Sequence, residues 1–184
     1  MDQNDLAINK KLKRRFWIFL VLAILFMCWM KFFLPGFDSR EIVQYEMAKA
    51  PEKATAIISQ WSQTPNKLQT MIKSIYIDYI FIVVYCLAIS AGCRYLSRLT
   101  KNEILVKAGI FFSFFIFAAG IFDVVENIAM TKSLRQEVTY ANVSLAYKMA
   151  ISKFSIILMS LFFIAVSLLF WLIGLLSGNE KSWK

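Results

Sequence analysis

The chain is 184 residues long, 59% hydrophobic and only 18% charged, a balance that a water-soluble domain of this length cannot cover with polar surface. Its net charge is +9, but the basic residues flank apolar runs, which points to membrane orientation and anionic lipid head groups and argues against nucleic acid as a partner. With no histidine, the chain holds no Ser/His or Cys/His nucleophile pair and no histidine-ligated metal.

In chain order, the first element is a basic segment running into an apolar stretch over residues 16–34, with Trp17 and Trp29 near its ends. About 20 such residues cross a bilayer. A signal peptide is the competing reading, but no small-x-small cleavage site follows, so the expectation is an uncleaved transmembrane helix. Three more spans are expected over residues 75–95, 105–130 and 146–176. Cys28, Cys86 and Cys93 fall inside apolar runs, where a thiol packs as a small hydrophobe, and their spacing fits neither a zinc site nor a redox pair.

The loop over residues 38–72 carries helical signals of its own. Asp38 and Glu41 have capping-box spacing, Pro51 suits a first helical turn, and Ile57, Ile58 and Trp61 recur at helical intervals. Thr64 and Pro65 predict a further helix start that runs into the second span. The whole is expected to be an all-α, integral membrane four-helix bundle with an amphipathic helical cap in the first outer loop, forming a single domain over residues 1–184. The cap is expected either to lie in the membrane interface or to cover a pocket.

Lys10, Lys11, Lys13, Arg14 and Arg15 precede the first span, Arg94, Arg98, Lys101 and Lys107 join the second to the third, and Lys181 and Lys184 follow the fourth. By the positive-inside bias these ends are cytoplasmic, and both termini lie inside.

That topology sets the depth of the intramembrane charges. Asp123 and Glu126 fall about 10 and 5 Å below the outer end of the third span, Asp78 in the first turn of the second, and Lys153 about two turns into the fourth. Asp123, Glu126 and Asn127 share one helix face, as do Asp78 and Tyr85. A charge facing hydrocarbon costs at least about 2.5–3.5 kcal/mol, so these faces are expected to turn inward and meet. The expected ligand-binding cluster is therefore Asp78, Tyr85, Asp123, Glu126, Asn127 and Lys153. Gly109, Ser113, Ala118, Ala119 and Gly120 would allow close helix approach.

Three functions fit such a cluster. It would bind a lipid-like or amphipathic molecule, cationic for preference, with an apolar body among Phe81, Phe114 and Phe122. It would serve a membrane-embedded enzyme, with Asp123 and Glu126 as the catalytic acid and base or, with Asn127, as oxygen ligands for a hard metal, although no spacing here is diagnostic of one. Or Lys153 would pair with Asp123 or Glu126 only to fix helix packing, as in a structural or accessory subunit. No cofactor is named by the sequence, the bilayer itself is one partner, and the oligomeric state stays open.

The strings "DYIFIVVY" (Asp78 to Tyr85) and "DVVEN" (Asp123 to Asn127), with Trp61 and Lys153, resemble a pattern in small four-helix bacterial integral membrane proteins of unassigned activity. The resemblance implies a multi-pass protein of the bacterial inner membrane and the same cluster, and no reaction. The layout is more loosely similar to the EXPERA group of the sigma-2 receptor and emopamil-binding sterol isomerase, which implies an acidic, sterol-accepting pocket. The isomerase's histidine has no counterpart here.

Overall fold

The computed structural model describes residues 3–176, with side chains from residue 6 onward. Lys181 and Lys184, used in the orientation argument, lie outside them. Among the described residues the chain is all-helical, in the order α1 (Gln3–Phe33), α2 (Ser39–Glu46), α3 (Pro51–Ser62), α4 (Lys67–Leu99), α5 (Glu103–Arg135) and α6 (Tyr140–Leu176). Four of these, α1, α4, α5 and α6, are long and apolar enough to cross a membrane. The protein is a multi-pass, four-helix membrane bundle with a helical cap between its first and second spans.

The long helices outrun their apolar windows. With 33, 33 and 37 residues, α4, α5 and α6 are about 50–55 Å long, against a hydrocarbon core of about 30 Å. At one end of each, Met71 and Ile75 of α4, Ala129 and Met130 of α5, and Val143 and Ala146 of α6 pack with the cap region.

Local chemistry sets the cap. Asp38 starts α2, its side chain accepting from the Arg40 backbone N–H at 2.9 Å. The reciprocal half of the expected capping box does not form. Glu41 instead accepts from Trp61 Nε1 at 2.9 Å and from Lys67 Nζ at 2.6 Å, joining α2 to α3 and α4 by charge-assisted bonds. Pro51 opens α3 as expected. The start of α4 differs from the expectation, because Asn66 takes a left-handed conformation (φ 63°) and delays the helix to Lys67, leaving Thr64 and Pro65 in the turn.

The chain divides into two compact units, and each long helix contributes a segment to both. Of the described residues, one takes in 3–23, Val84–Ala119 and 155–176. Here α5 approaches α4 closely at Gly109, where an added Cβ would meet the Ser97 side chain and lie 2.7 Å from the Cys93 carbonyl. Cys93 is buried, as is Cys86, whose thiol faces the Ile116 carbonyl at 3.6 Å.

The other unit comprises Ile24–Val83 and Gly120–Phe154 and contains the cap. Tyr45, Ala48, Ala54 and Trp61 from the cap region pack with Met71 and Ile75 of α4, Ala129 and Met130 of α5, and Val143 and Ala146 of α6. Trp61 is only 1% exposed. The cap is therefore part of a packed core.

Candidate functional site

Five of the six expected cluster residues lie in the second unit, and Tyr85, though buried, lies in the first. The centre of the cluster is Lys153 of α6. Its ammonium lies 2.8 Å from Asp123 Oδ1 and 2.9 Å from Glu126 Oε2, one helical turn apart on α5. The Phe154 ring sits 4.9 Å from the same ammonium. Asn127, next on that face of α5, turns to α4 and donates from Nδ2 to Asp78 Oδ2 at 2.8 Å. One polar face of α5 thus serves two neighbouring helices.

A further member was not among the expected site residues. Glu46, the last residue of α2, places Oε1 3.4 Å from the Lys153 ammonium and is buried. The signal was present in the spacing: Ile42, Tyr45 and Glu46 stand at i, i+3 and i+4, so the carboxylate lies on the apolar face that docks the cap.

Three carboxyl groups, those of Glu46, Asp123 and Glu126, therefore surround one ammonium, and a fourth, that of Asp78, is reached through Asn127. Glu126 is fully buried and Asp123, Glu46 and Lys153 nearly so. Glu126 Oε1 and Glu46 Oε2 are buried without a hydrogen-bond donor among the described residues. Burial holds the Glu46 carboxyl above the usual carboxylate range; the Lys153 ammonium opposes this and the Asp123 charge adds to it. Beside it, burial pushes the Tyr45 hydroxyl up to about 12, with the Ser133 side chain pulling the other way. A cavity of about 10 Å³, the room of a single water, lies among Tyr45, Ala54, Met130, Ser133, Val143 and Ala146.

The three phenylalanines expected to form one apolar body are Phe81, Phe114 and Phe122. Phe81 stacks on Phe26 of α1 with centroids 5.5 Å apart, and Phe122 is half-buried. Phe114 is 64% exposed and carries the Arg94 guanidinium 5.0 Å from its ring centroid, in the first unit.

Chemically, the arrangement can hold a cation and can keep or pass a proton between adjacent carboxyls. Glu46, Asp123 and Glu126 converge on an ammonium; among the described residues no group of three or more carboxylates or thiols is disposed to hold a metal ion. No protein-family model matches the chain, and no significant match is found to a curated protein or to a solved structure.

Proposed function

We propose that the acidic cluster beneath α2 is an occluded site for a lipid-like or amphipathic molecule with a cationic head group. The single observation that carries this reading is the imbalance at Lys153: three buried carboxyl groups meet one ammonium, with oxygens of Glu46 and Glu126 left without donors. A ligand ammonium supplies the missing charge and donors, and the Lys153 ammonium marks the position such a head group would take or share. Entry requires α2 to lift, because Glu46 closes the cluster from the cap. The basic segments before α1 and between α4 and α5 support cytoplasmic ends, which orients the cluster toward the outer leaflet. The resemblance to small bacterial membrane proteins supports a bacterial inner membrane.

A second reading has its own observation. Lys153 joins α2 and α5 to α6 through three carboxylates at 2.8, 2.9 and 3.4 Å, which is what a latch that only fixes the cap would do. Acid–base catalysis by Asp123 and Glu126 draws less support, since both are already engaged with Lys153.

Thermal-shift screening of the purified protein against lipids, sterols, amines and divalent ions separates these readings. Stabilisation by an amphipathic amine that disappears in Glu126→Gln supports the binding site. A chelator-sensitive shift supports metal chemistry, and the absence of any shift supports the latch.

A further inference from the structure

The first unit contains a cavity of about 260 Å³, lined by Ile8 and Leu12 of α1, Arg94, Ser97 and Arg98 of α4, and Val106 and Ile110 of α5. It is far larger than the water-sized space beside the cap and falls just short of the roughly 300–1,000 Å³ of drug-sized sites. Its walls divide by chemistry. Ile8 and Ile110 are 43% and 46% exposed and make an apolar mouth, while two half-buried guanidiniums and a buried hydroxyl line the remainder.

Arg94 is held in place rather than trailing in solvent. Its Nε donates to Ser113 Oγ at 2.9 Å, Ser113 Oγ in turn donates to the Ile110 carbonyl at 2.7 Å, and Ser90 Oγ donates to the Ser113 carbonyl at 2.7 Å. The Phe114 ring fixes the guanidinium plane from one side. Among the described residues Arg94 has no carboxylate partner, so a preorganised cation faces the cavity with its Nη donors uncommitted. Arg98, one turn further along α4, lines the same wall. Planar guanidinium forks match the oxygens of a phosphate, and the apolar mouth suits an acyl chain or a glycerol carbon. Lys10, Lys11, Lys13, Arg14, Arg15 and Lys107 lie in the same stretches of chain and raise the local anion concentration.

From this geometry we infer that the cavity binds a phosphate ester, with Arg94 on the phosphate and Ile8, Leu12, Val106 and Ile110 on the carbon portion. The mouth makes an anionic phospholipid the favoured source of that group over a soluble phosphate ester. The site is independent of the acidic cluster, so neither proposal stands or falls with the other.

The test is native mass spectrometry of the full chain released from detergent and titrated with dioleoyl phosphatidylglycerol, dioleoyl phosphatidylcholine or glycerol 3-phosphate. Phosphatidylglycerol should bind about tenfold or more tightly than phosphatidylcholine, the effect of one or two charge-assisted hydrogen bonds. Arg94→Gln should erase that preference. Val106→Trp, which fills the cavity and spares the Arg94–Ser113 bond, should erase it too, so a folding defect in one variant leaves the other to decide. Lys101→Gln removes the same charge from the exposed connector and should leave the preference intact. Competition by glycerol 3-phosphate at equal concentration would assign the group to a soluble ester, and failure to compete would assign it to lipid. Equal binding of the two phospholipids together with no binding of glycerol 3-phosphate overturns the inference, as does a loss in Lys101→Gln equal to that in Arg94→Gln.

Discussion

Lys153 is the side chain on which α2, α5 and α6 meet, and its position explains why the carboxylates around it are tolerated in a membrane protein. Removing one partner of a buried ion pair leaves the other desolvated and uncompensated. Lys153→Met should therefore cost about 3–5 kcal/mol, read as a lowered midpoint in thermal denaturation of the detergent-solubilised protein. Adding Glu126→Gln to Lys153→Met should recover part of that loss, because one stranded charge goes with it. Glu46 makes the site sensitive to pH. Its carboxyl is raised on folding, and it faces Lys153 of α6, Asp123 and Glu126 of α5, and the charge of Asp78 on α4. The folded cap therefore binds the proton more tightly than the unfolded chain. The stabilisation is fully present below the ordinary value of 4.5 and is lost as pH rises through the folded value. Amide-exchange protection of α2, corrected for the intrinsic pH dependence of exchange, should fall as pH increases above 4.5, and Glu46→Gln should flatten that slope.

The cap helices are held by packing plus one shared acceptor. Both oxygens of Glu41 are used, one by the Trp61 indole and one by Lys67, so α2, α3 and the start of α4 are tied at a single carboxylate. Trp61→Phe keeps an aromatic ring in the core but removes the indole donor. It should lower stability by about 1.5–3 kcal/mol, the usual worth of a hydrogen bond to a charged group, and chemical denaturation followed by circular dichroism checks it. This part of the molecule was only half legible from sequence. Pro51 and the Ile57, Ile58 and Trp61 stripe announce α3, and Asp38 announces α2. Glu41 misleads, because capping-box spacing says nothing about a donor 20 residues away on α3. Glu46 escapes notice for a related reason: a carboxylate at the end of a short helix reads as solvated until the apolar face on which it lies is docked against α6.

Across the whole molecule, helix number and type follow from apolar run length, since only hydrogen-bonded helices of about 20 residues can cross a bilayer. The same cost that turns charges inward from lipid brings Asp123, Glu126 and Lys153 together, and periodicity alone puts Asn127 on the same face of α5. Periodicity likewise puts Tyr85 on the stripe of Asp78, two turns along α4, and the residue is buried there. Orientation is testable with single cysteines in a variant lacking Cys28, Cys86 and Cys93. A cysteine at exposed position 62 should react with a membrane-impermeant maleimide added to intact cells, and one at exposed position 101 only after the membrane is opened. The most direct test of the acidic site compares a long-chain primary amine with the neutral alcohol of equal chain length, on the wild-type chain and on Glu126→Gln. With the amine near 100 times its dissociation constant, the wild-type thermal midpoint should rise by about 5–10 °C, while the alcohol should leave it unchanged and Glu126→Gln should respond to neither. Equal shifts from amine and alcohol, or an amine shift that survives Glu126→Gln, would contradict a cation-binding site at this cluster.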